Sequence, residues 1–598
     1  MSAARPAEGA EIADWSQGGP PRSRRHGDVY YSAEDGLAES RAVFLAGCGL
    51  PEAWRGRSRF CVAELGFGTG LNIAALLEAW RTAASPGARL HIFTVENDLL
   101  TAAEAARALS AWPELSETAG ALVAQWPGRA RGFRRIDLPQ FGAALDLAQL
   151  EAAEALEAWS GSADAWFLDG FSPAADPLIW RPEVLSLVAR RSRPGARAAS
   201  FTVAGAVRRG LAAAGFEVTR QPGHGRKRER LEARLTGVVS EPATPRVVVV
   251  GAGIAGASIC RALAAHGVAA TVFDARGPAA SAVPAALAGP RLDAGLGPIA
   301  ALFAQAAARA ADLYGAVPGA VLARGLLQLP ATPKDPARFA AIAASDLFEP
   351  GWLDLLGSEA ATERLGEPCA GALAINGAVA VDPAPILAAW APSPVEDEVV
   401  RIARVGSAWR LEGVGGRTLC EADTVCIAAG PAAADLLDGV ELTSVRGQAT
   451  LASGLEAPAV SFGGYVAPTR DGALFGATHD RDDGDLAPRE EDDARNLDAV
   501  AAVLPRLGER LAGASLTSWT GLRASTADYL PLAGALAGRE GLFVLTGLGS
   551  RGFCLAPLLG EHVAAMAAGF PSPLPLAIVA LLEPARFAAR RDRRARTR

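Results

Sequence analysis

Phe60-Cys-Val-Ala-Glu-Leu-Gly-Phe-Gly-Thr-Gly70 and Arg246-Val-Val-Val-Val-Gly-Ala-Gly-Ile-Ala-Gly256 are the two stretches that decide the fold. Each reads as a buried strand, a tight glycine turn and the start of a helix. That arrangement brings backbone N–H groups and a helix N-terminus up to a bound cofactor. The two loops are of different kinds. In the first the order is acid-x-G-x-G-x-G, over Glu64, Gly66, Gly68, Thr69 and Gly70. In the second, Gly251, Gly253 and Gly256 follow the dinucleotide spacing. Two loops imply two cofactors, two domains and two reactions.

Working outward from the first loop, strand-like and helix-like segments alternate. Strands are expected at Phe60–Leu65, His91–Glu96, Ala165–Leu168 and Arg197–Phe201. Helices are expected from Leu71, from Leu100, near Pro182–Arg191 and near Ala204–Ala214. This alternation predicts a parallel, doubly wound α/β sheet. Phe216–Gln221 and Arg230–Thr236 are expected to form a closing antiparallel hairpin, and the residues up to 57 read as irregular. The segment 239–245 is linker-like, so the expected division is 1–238, linker 239–245, and 246–598. In the second part, strands at Val247–Val250, Ala270–Phe273, Thr424–Gly430 and Leu542–Gly547 are so widely spaced that a second lobe must fill the gaps.

The first loop has the pattern of S-adenosyl-L-methionine-dependent methyltransferases. Its glycines admit a ligand where a Cβ would clash. Glu96, at the end of the next strand, is placed to accept ribose hydroxyls. The strand in Asp164-Ala-Trp-Phe-Leu-Asp-Gly-Phe-Ser-Pro173 delivers Asp169 to the carboxyl edge of the sheet, where ligands bind. Methyl transfer needs an aligned, deprotonated amine, and Asp169 is the residue expected to orient it or take its proton. A cap of the following turn is the competing reading.

The second loop, with Asp274 eighteen residues past Gly256, suits FAD or NAD equally. Later pieces favour FAD. Ala428-Ala-Gly430 follows a buried strand, and Gly430 is expected at the flavin. Gly547-Leu-Gly-Ser-Arg-Gly552 brings Gly547, Gly549, Ser550, Arg551 and Gly552 to a second helix start. Arg523, in Trp519-Thr-Gly-Leu-Arg523, is the candidate clamp for a substrate carboxylate, because a guanidinium binds one through two parallel hydrogen bonds. A surface ion pair is the competing reading.

Bulk composition narrows the classes. The chain has 598 residues, 50% of them hydrophobic, which suits several folded domains rather than one core. The seven cysteines form no CxxC pair, so buried thiols in a reducing cytoplasm are expected and no structural metal. Met1-Ser-Ala-Ala-Arg-Pro-Ala-Glu8 has no apolar signal core, and no run of about 18 apolar residues predicts a membrane span. The net charge of −7 argues weakly against a nucleic-acid partner, although charge is local. Three local clusters nevertheless point to a polyanion: Arg22–Arg25, Arg226–Arg230, and a tail from Arg586 to Arg598 with seven arginines and one acid.

The pieces Gly27–Tyr30, Gly49–Pro51, Glu64–Gly70, Asp164–Pro173, Phe201-Thr202, Arg208–Leu211 and Gly225–Glu229 resemble the methyltransferase half of the bifunctional MnmC family. Arg446–Gln448, Gly463–Tyr465, Gly476–Asp480, Trp519–Pro531 and Gly547–Pro557 resemble its flavin half, of the D-amino-acid oxidase/glycine oxidase type. The resemblance runs from about residue 15 to 587. It implies a Rossmann-like methyltransferase domain followed by an FAD-dependent oxidoreductase domain with an α+β substrate lobe. It also implies tRNA as partner, with wobble 5-carboxymethylaminomethyl(-2-thio)uridine oxidised to the 5-aminomethyl form, glyoxylate released, and the exposed amine then methylated. A cytoplasmic monomer is the simplest expectation. Within this picture Asp146 is taken as the acid on the adenine side of the methyl donor. One stretch departs from the family pattern: Ala280-Ser-Ala-Val-Pro284 carries Val283 and Pro284 where a Gly-Asn loop is usual. That predicts either an altered contact with the flavin or weak oxidation, with a weak or inactive flavin half as the alternative reading, since valine disfavours φ > 0 and proline lacks a donor.

Overall fold

The computed structural model describes residues 11–225, 227–238, 243–275, 277 and 279–587. Arg226, residues 239–242 of the expected linker and the basic tail from residue 588 lie outside the described residues. The chain divides into two compact units. Of the described residues, one unit comprises those from 11 to 243 with the short segments 265–267 and 570–576; the other comprises those in 244–264, 268–569 and 577–587.

In the first unit, strands β1 (Arg59–Leu65), β2 (Arg89–Val95), β3 (Gly132–Leu138), β4 (Ala143–Gln149), β5 (Ala163–Leu168), β6 (Ser192–Ser200), β7 (Glu217–Pro222) and β8 (Glu229–Arg234) form one sheet. Their order is β3-β4-β2-β1-β5-β6-β8-β7. The centre, from β4 to β6, is parallel, as the alternation predicts. Both edges are antiparallel: β3 pairs with β4, and the β7–β8 hairpin forms where it was expected. Strands β1 and β5 are buried along their whole lengths because helices cover both faces.

Local chemistry sets the helix starts. Thr101 caps Ala102–Leu109 by accepting the Glu104 N–H, while Glu104 Oε2 accepts the Thr101 N–H. The other oxygen of Glu104 accepts the N–H groups of Ile12 and Ala13, both at 2.8 Å, and so anchors the N-terminal segment. The stretch before residue 57, expected to be irregular, contains the short helix Gly36–Glu39 and a π-helical turn, Ser40–Leu45.

In the second unit, β9 (Val247–Val250), β10 (Ala270–Asp274), β11 (Val395–Glu396), β12 (Thr424–Ile427), β13 (Leu532–Ala535) and β14 (Leu542–Thr546) form a sheet of order β11-β10-β9-β12-β14-β13. The four widely spaced strands of the sequence thus lie side by side and parallel. The intervening chain builds a ten-stranded sheet. Its spine, Thr443–Ser453, pairs antiparallel with Ser515–Ser525 along its whole length and with Asp480–Arg481 near its start.

Four tryptophans, Trp54, Trp80, Trp159 and Trp166, are fully buried in the first unit. The Trp159 ring stacks on Phe93 with centroids 4.2 Å apart. Trp159→Ala is expected to destabilise this unit by about 3–5 kcal/mol through lost burial and a residual cavity. Urea unfolding of the full chain should show that as a fall in midpoint, and a loss below about 1 kcal/mol would contradict this packing.

Candidate functional site

The first candidate site forms at the carboxyl ends of β1, β2 and β5. Gly66, Gly68 and Gly70 have φ of 84°, 53° and 78°. A Cβ on Gly66 would stand 2.9 Å from the Gly170 Cα, so the loops after β1 and β5 touch backbone to backbone. Gly70 caps the helix Leu71–Ala83, and Thr69 is buried beneath the turn. Glu96 lies where the spacing predicted. Its Oε2 accepts the Gly68 N–H at 2.9 Å and its Oε1 the Asp98 N–H at 2.8 Å, leaving carboxylate lone pairs for a ribose. Phe67 and Trp126 stack at 4.7 Å, and Tyr30 packs edge-on to Phe171 at 5.2 Å, giving the loop aromatic walls.

Asp169 and Glu64 meet through Asn72, a residue the sequence reading missed. Asn72 Nδ2 donates to Asp169 Oδ2 at 2.8 Å and to Glu64 Oε1 at 3.1 Å. Ser40 Oγ donates to Asn72 Oδ1, which fixes the amide's orientation. The Thr94 hydroxyl donates to Glu64 Oε2 at 2.7 Å. Burial holds the Glu64 carboxyl well above the ordinary carboxylate range. Burial also raises Asp169, to about 6, against opposing hydrogen bonds from the Gly170 N–H and Asn72 and the Lys227 charge. Asp169 is therefore a carboxylate at neutral pH with unusual proton affinity for its type. Lys227, in the predicted basic segment, pairs with Glu39 at 2.8 Å, and its Nζ lies 3.9 Å from the centre of the Phe201 ring.

Asp146 requires a correction. It lies within β4, and its two oxygens accept from Arg135 Nε and Nη2, both at 2.7 Å. His91 Nε2 lies 3.2 Å from the same carboxylate. The pair is buried, and burial is outweighed by Arg135, so the Asp146 pKa is lowered to about 2. Asp146 is a closed structural ion pair and is not turned toward an adenine.

The basic clusters also need revision. Arg24 pairs with Glu11, and Arg230 with Glu232. Arg586, counted with the tail, is buried and bound to Asp528 through two hydrogen bonds of 3.0 and 2.9 Å.

The second candidate site forms at the carboxyl ends of β9, β10, β12 and β14. A Cβ on Gly251 would meet the Ala428 carbonyl oxygen at 2.5 Å, and one on Gly256 the Gly251 carbonyl oxygen at 1.8 Å. Only glycine permits these approaches. Asp274 Oδ1 accepts the Ala252 N–H at 3.3 Å. Gly430, with φ of 59°, is held by the Thr546 hydroxyl, which donates to its carbonyl at 2.8 Å. Gly547 and Gly549 have φ of 73° and 54°, and Ser550 and Arg551 lead into the helix Gly552–Ala568. A Cβ on Gly552 would lie 3.5 Å from Ile254 Cγ2, so this helix starts beside the helix Ile254–Ala265. Two helix N-termini thus converge, and each favours an anionic group.

The departure at Ser281–Pro284 is accommodated. Ser281 Oγ accepts the Ile254 N–H at 2.9 Å and lies 3.1 Å from the space above Gly253. Val283 takes φ −59° and ψ 140°, so the expected conflict with a positive φ does not arise. The serine hydroxyl sits at the helix N-terminus, in position to address an anionic group there.

Arg523 reaches the face of the Thr443–Ser453 strand. Its Nη2 donates to the Thr478 carbonyl at 2.8 Å and fills the space over Gly447, where a Cβ would lie 1.5 Å from it. No carboxylate pairs with Arg523 among the described residues. Tyr465 stands near it, its phenol pushed up to about 12 by burial.

Comparison with known proteins shows the family. Residues 113–236 match the model of an S-adenosyl-L-methionine-dependent methyltransferase family, and 246–566 that of the FAD-dependent oxidoreductases. The chain is 56% identical over 586 residues to the tRNA 5-methylaminomethyl-2-thiouridine biosynthesis bifunctional protein MnmC of Caulobacter sp. (strain K31), covering 96% of this chain and 97% of that protein. The chain belongs to the MnmC family. It is 41% identical over 596 residues to the MnmC protein of Maricaulis maris, covering 97% of each. Among solved structures, glycine oxidase from Geobacillus kaustophilus is 27% identical, covers 56% of this chain and 97% of that one, and has a TM-score of 0.47. This MnmC-family enzyme therefore has a methyltransferase part using S-adenosyl-L-methionine and an oxidoreductase part using FAD.

The residues present fit both groups: a glycine cradle with Glu96 for the methyl donor, and two helix N-termini with Asp274 for the dinucleotide. Gly66→Ala is expected to abolish binding of S-adenosyl-L-methionine, because the new Cβ meets the Gly170 backbone at a φ of 84°. Isothermal titration should show no heat from the donor while the flavin absorbance is unchanged. Undiminished donor affinity would contradict the cradle.

Proposed function

We propose that this enzyme completes the side chain of a tRNA wobble uridine in two steps. The flavin unit converts 5-carboxymethylaminomethyl(-2-thio)uridine to the 5-aminomethyl nucleoside. The methyltransferase unit then makes the 5-methylaminomethyl product. What carries the reading is the pairing of a carboxylate-seeking cation at one site with an amine-seeking carboxylate at the other. The near-full-length likeness to MnmC proteins supplies the nucleic acid.

Bound FAD supplies a hydride acceptor and bound S-adenosyl-L-methionine the methyl group. In the flavin unit, Arg523 holds the carboxylate of the carboxymethyl arm and so orients the adjacent C–H bond. Its guanidinium is half-buried and already donates to the Thr478 carbonyl, so it is pre-organised for a second partner. In the methyltransferase unit, Asp169 orients the acceptor amine and takes its proton. Asn72 presents the Asp169 carboxylate, and Lys227 faces the same space from above Phe201. The cytoplasm is the compartment where such a substrate is met, and the seven free cysteines fit it.

Asp169→Ala is expected to lower methyl transfer by at least about 100-fold and to leave oxidation intact. The Asp169 pKa of about 6 gives the pH dependence. The carboxylate is the working form, so kcat/KM for methylation should fall about tenfold per pH unit below 6 and level off above it. A profile flat from pH 5 to 8 would remove Asp169 from the proton's path. Arg523→Ala should weaken capture of the carboxymethyl substrate by roughly 2–5 kcal/mol, read from steady-state flavin turnover. Mass spectrometry of tRNA nucleosides from a strain lacking the protein tests the whole reading. The carboxymethylaminomethyl nucleoside should accumulate, and unaltered tRNA would refute the proposal.

A further inference from the structure

Around the start of the Thr443–Ser453 strand, several arginines of the second unit are matched with acids. Arg495 takes Asp480, Arg489 takes Asp483 and Asp485, and Arg586 takes Asp528. Arg481 differs from these neighbours. It is exposed, and among the described residues no acid pairs with it; Asp482 beside it also lies in solvent.

Register places Arg481 on the same face of the sheet as Arg523. Val445 lies opposite Arg523 on one neighbouring strand and opposite Arg481 on the other. Residues directly opposite in antiparallel strands share a face, so both guanidinium groups rise from the same side of the sheet. Their Cα atoms are two strand spacings apart, roughly 10 Å. That span is comparable to the reach from a base substituent to the backbone of the same nucleotide. A cleft on this face is lined by Thr443, Val445, His479, Arg481, Thr526 and Tyr529.

Tyr529 supplies the second, independent observation. It is 56% exposed and has φ of 58°, a conformation an aromatic residue rarely holds. The Arg481 guanidinium donates to its hydroxyl and lies 5.7 Å from its ring centre. An exposed ring beside an unpaired cation is the surface that stacks a base and binds the phosphate next to it. A free amino acid would need only Arg523.

We propose that this cleft is an RNA-strand subsite of the flavin unit, in which Arg481 binds a phosphate beside the modified nucleoside and Tyr529 stacks a neighbouring base. The inference deepens the tRNA reading and rests on it. The subsite makes the flavin unit selective for a nucleoside carried on RNA.

Full-length enzyme loaded with FAD tests this with two substrates: an anticodon stem-loop carrying 5-carboxymethylaminomethyluridine, and the same modified nucleoside free. Arg481→Ala and Tyr529→Ala should each raise KM for the stem-loop by about tenfold or more. KM for the free nucleoside should stay within about twofold. Arg481→Ala should also flatten the salt dependence of stem-loop capture by roughly 0.7 in log–log slope, the share of one phosphate contact to a single strand. Arg481→Lys, which keeps the charge, should recover most of the stem-loop KM. Equal effects on both substrates, or none on either, would overturn the subsite. If wild-type enzyme oxidises neither substrate, the tRNA reading itself has failed. Ultraviolet crosslinking of the stem-loop then decides the subsite by itself: a crosslink at Tyr529 upholds it, and its absence overturns it.

Discussion

The close approach of backbone to backbone at the strand ends is the constraint on which both sites depend. Gly66 meets Gly170 in one unit, and Gly251 meets the carbonyl of Ala428 in the other. At neither place is there room for a Cβ. Because Gly66 and Gly170 touch, Asp169 is carried to within hydrogen-bonding distance of a side chain on the helix that follows the first loop. Because Gly251 touches the turn after β12, Gly430 is brought beside the dinucleotide loop. The glycines therefore do more than admit ligands. They set the distance between each glycine loop and the neighbouring strand end.

What could be read from the chain follows from how local each demand is. A strand, a glycine turn and a helix start are adjacent in sequence, so both loops were legible. So were Glu96 and Asp274, each at the end of the next strand. The pair Gly132–Leu138 and Ala143–Gln149 was not. One carries two arginines, and the other reads Ala-Ala-Leu-Asp-Leu-Ala-Gln, composed largely of helix formers. Pairing and burial override propensity there. The error over Asp146 has the same origin. Its partner Arg135 is opposite it only in the antiparallel register of those two strands. Asn72 was missed because its contact with Asp169 spans 97 residues, and an asparagine on a helix carries no signal of its own.

The methyl site shows how neighbouring carboxyls are made to differ. Glu64 is sealed in, with both oxygens accepting hydrogen bonds and its proton affinity strongly raised by burial. Asp169 shares the Asn72 amide but also accepts its own loop's N–H and feels Lys227, and its pKa settles near 6. One amide thus links a buried carboxyl with little access to solvent to one whose pKa lies near neutrality. Environments that push paired acids apart are how a single fold assigns them different work. The Ser281–Pro284 loop makes a related point. A family pattern read as a list of residue types predicted a conflict, yet the backbone there needs no positive φ and the serine hydroxyl still reaches the helix start.

The distribution of arginines argues for function more sharply than their number. Arg135, Arg309, Arg446 and Arg586 are buried and each is matched to a carboxylate. Such pairs specify structure, since an unmatched buried charge costs far more than it contributes. Three basic segments stood out in the sequence because charge was concentrated there. In the folded chain, Arg24, Arg230 and Arg586 from those segments are already spoken for. Arg523 and Arg481 sit in no basic run, and no count of charge along the chain would select them. They stand out only once the strand register sets them on either side of Val445, both without a carboxylate. The proposed anion at Arg523 is the substrate's own carboxylate, and at Arg481 it is the chain on which the substrate is carried.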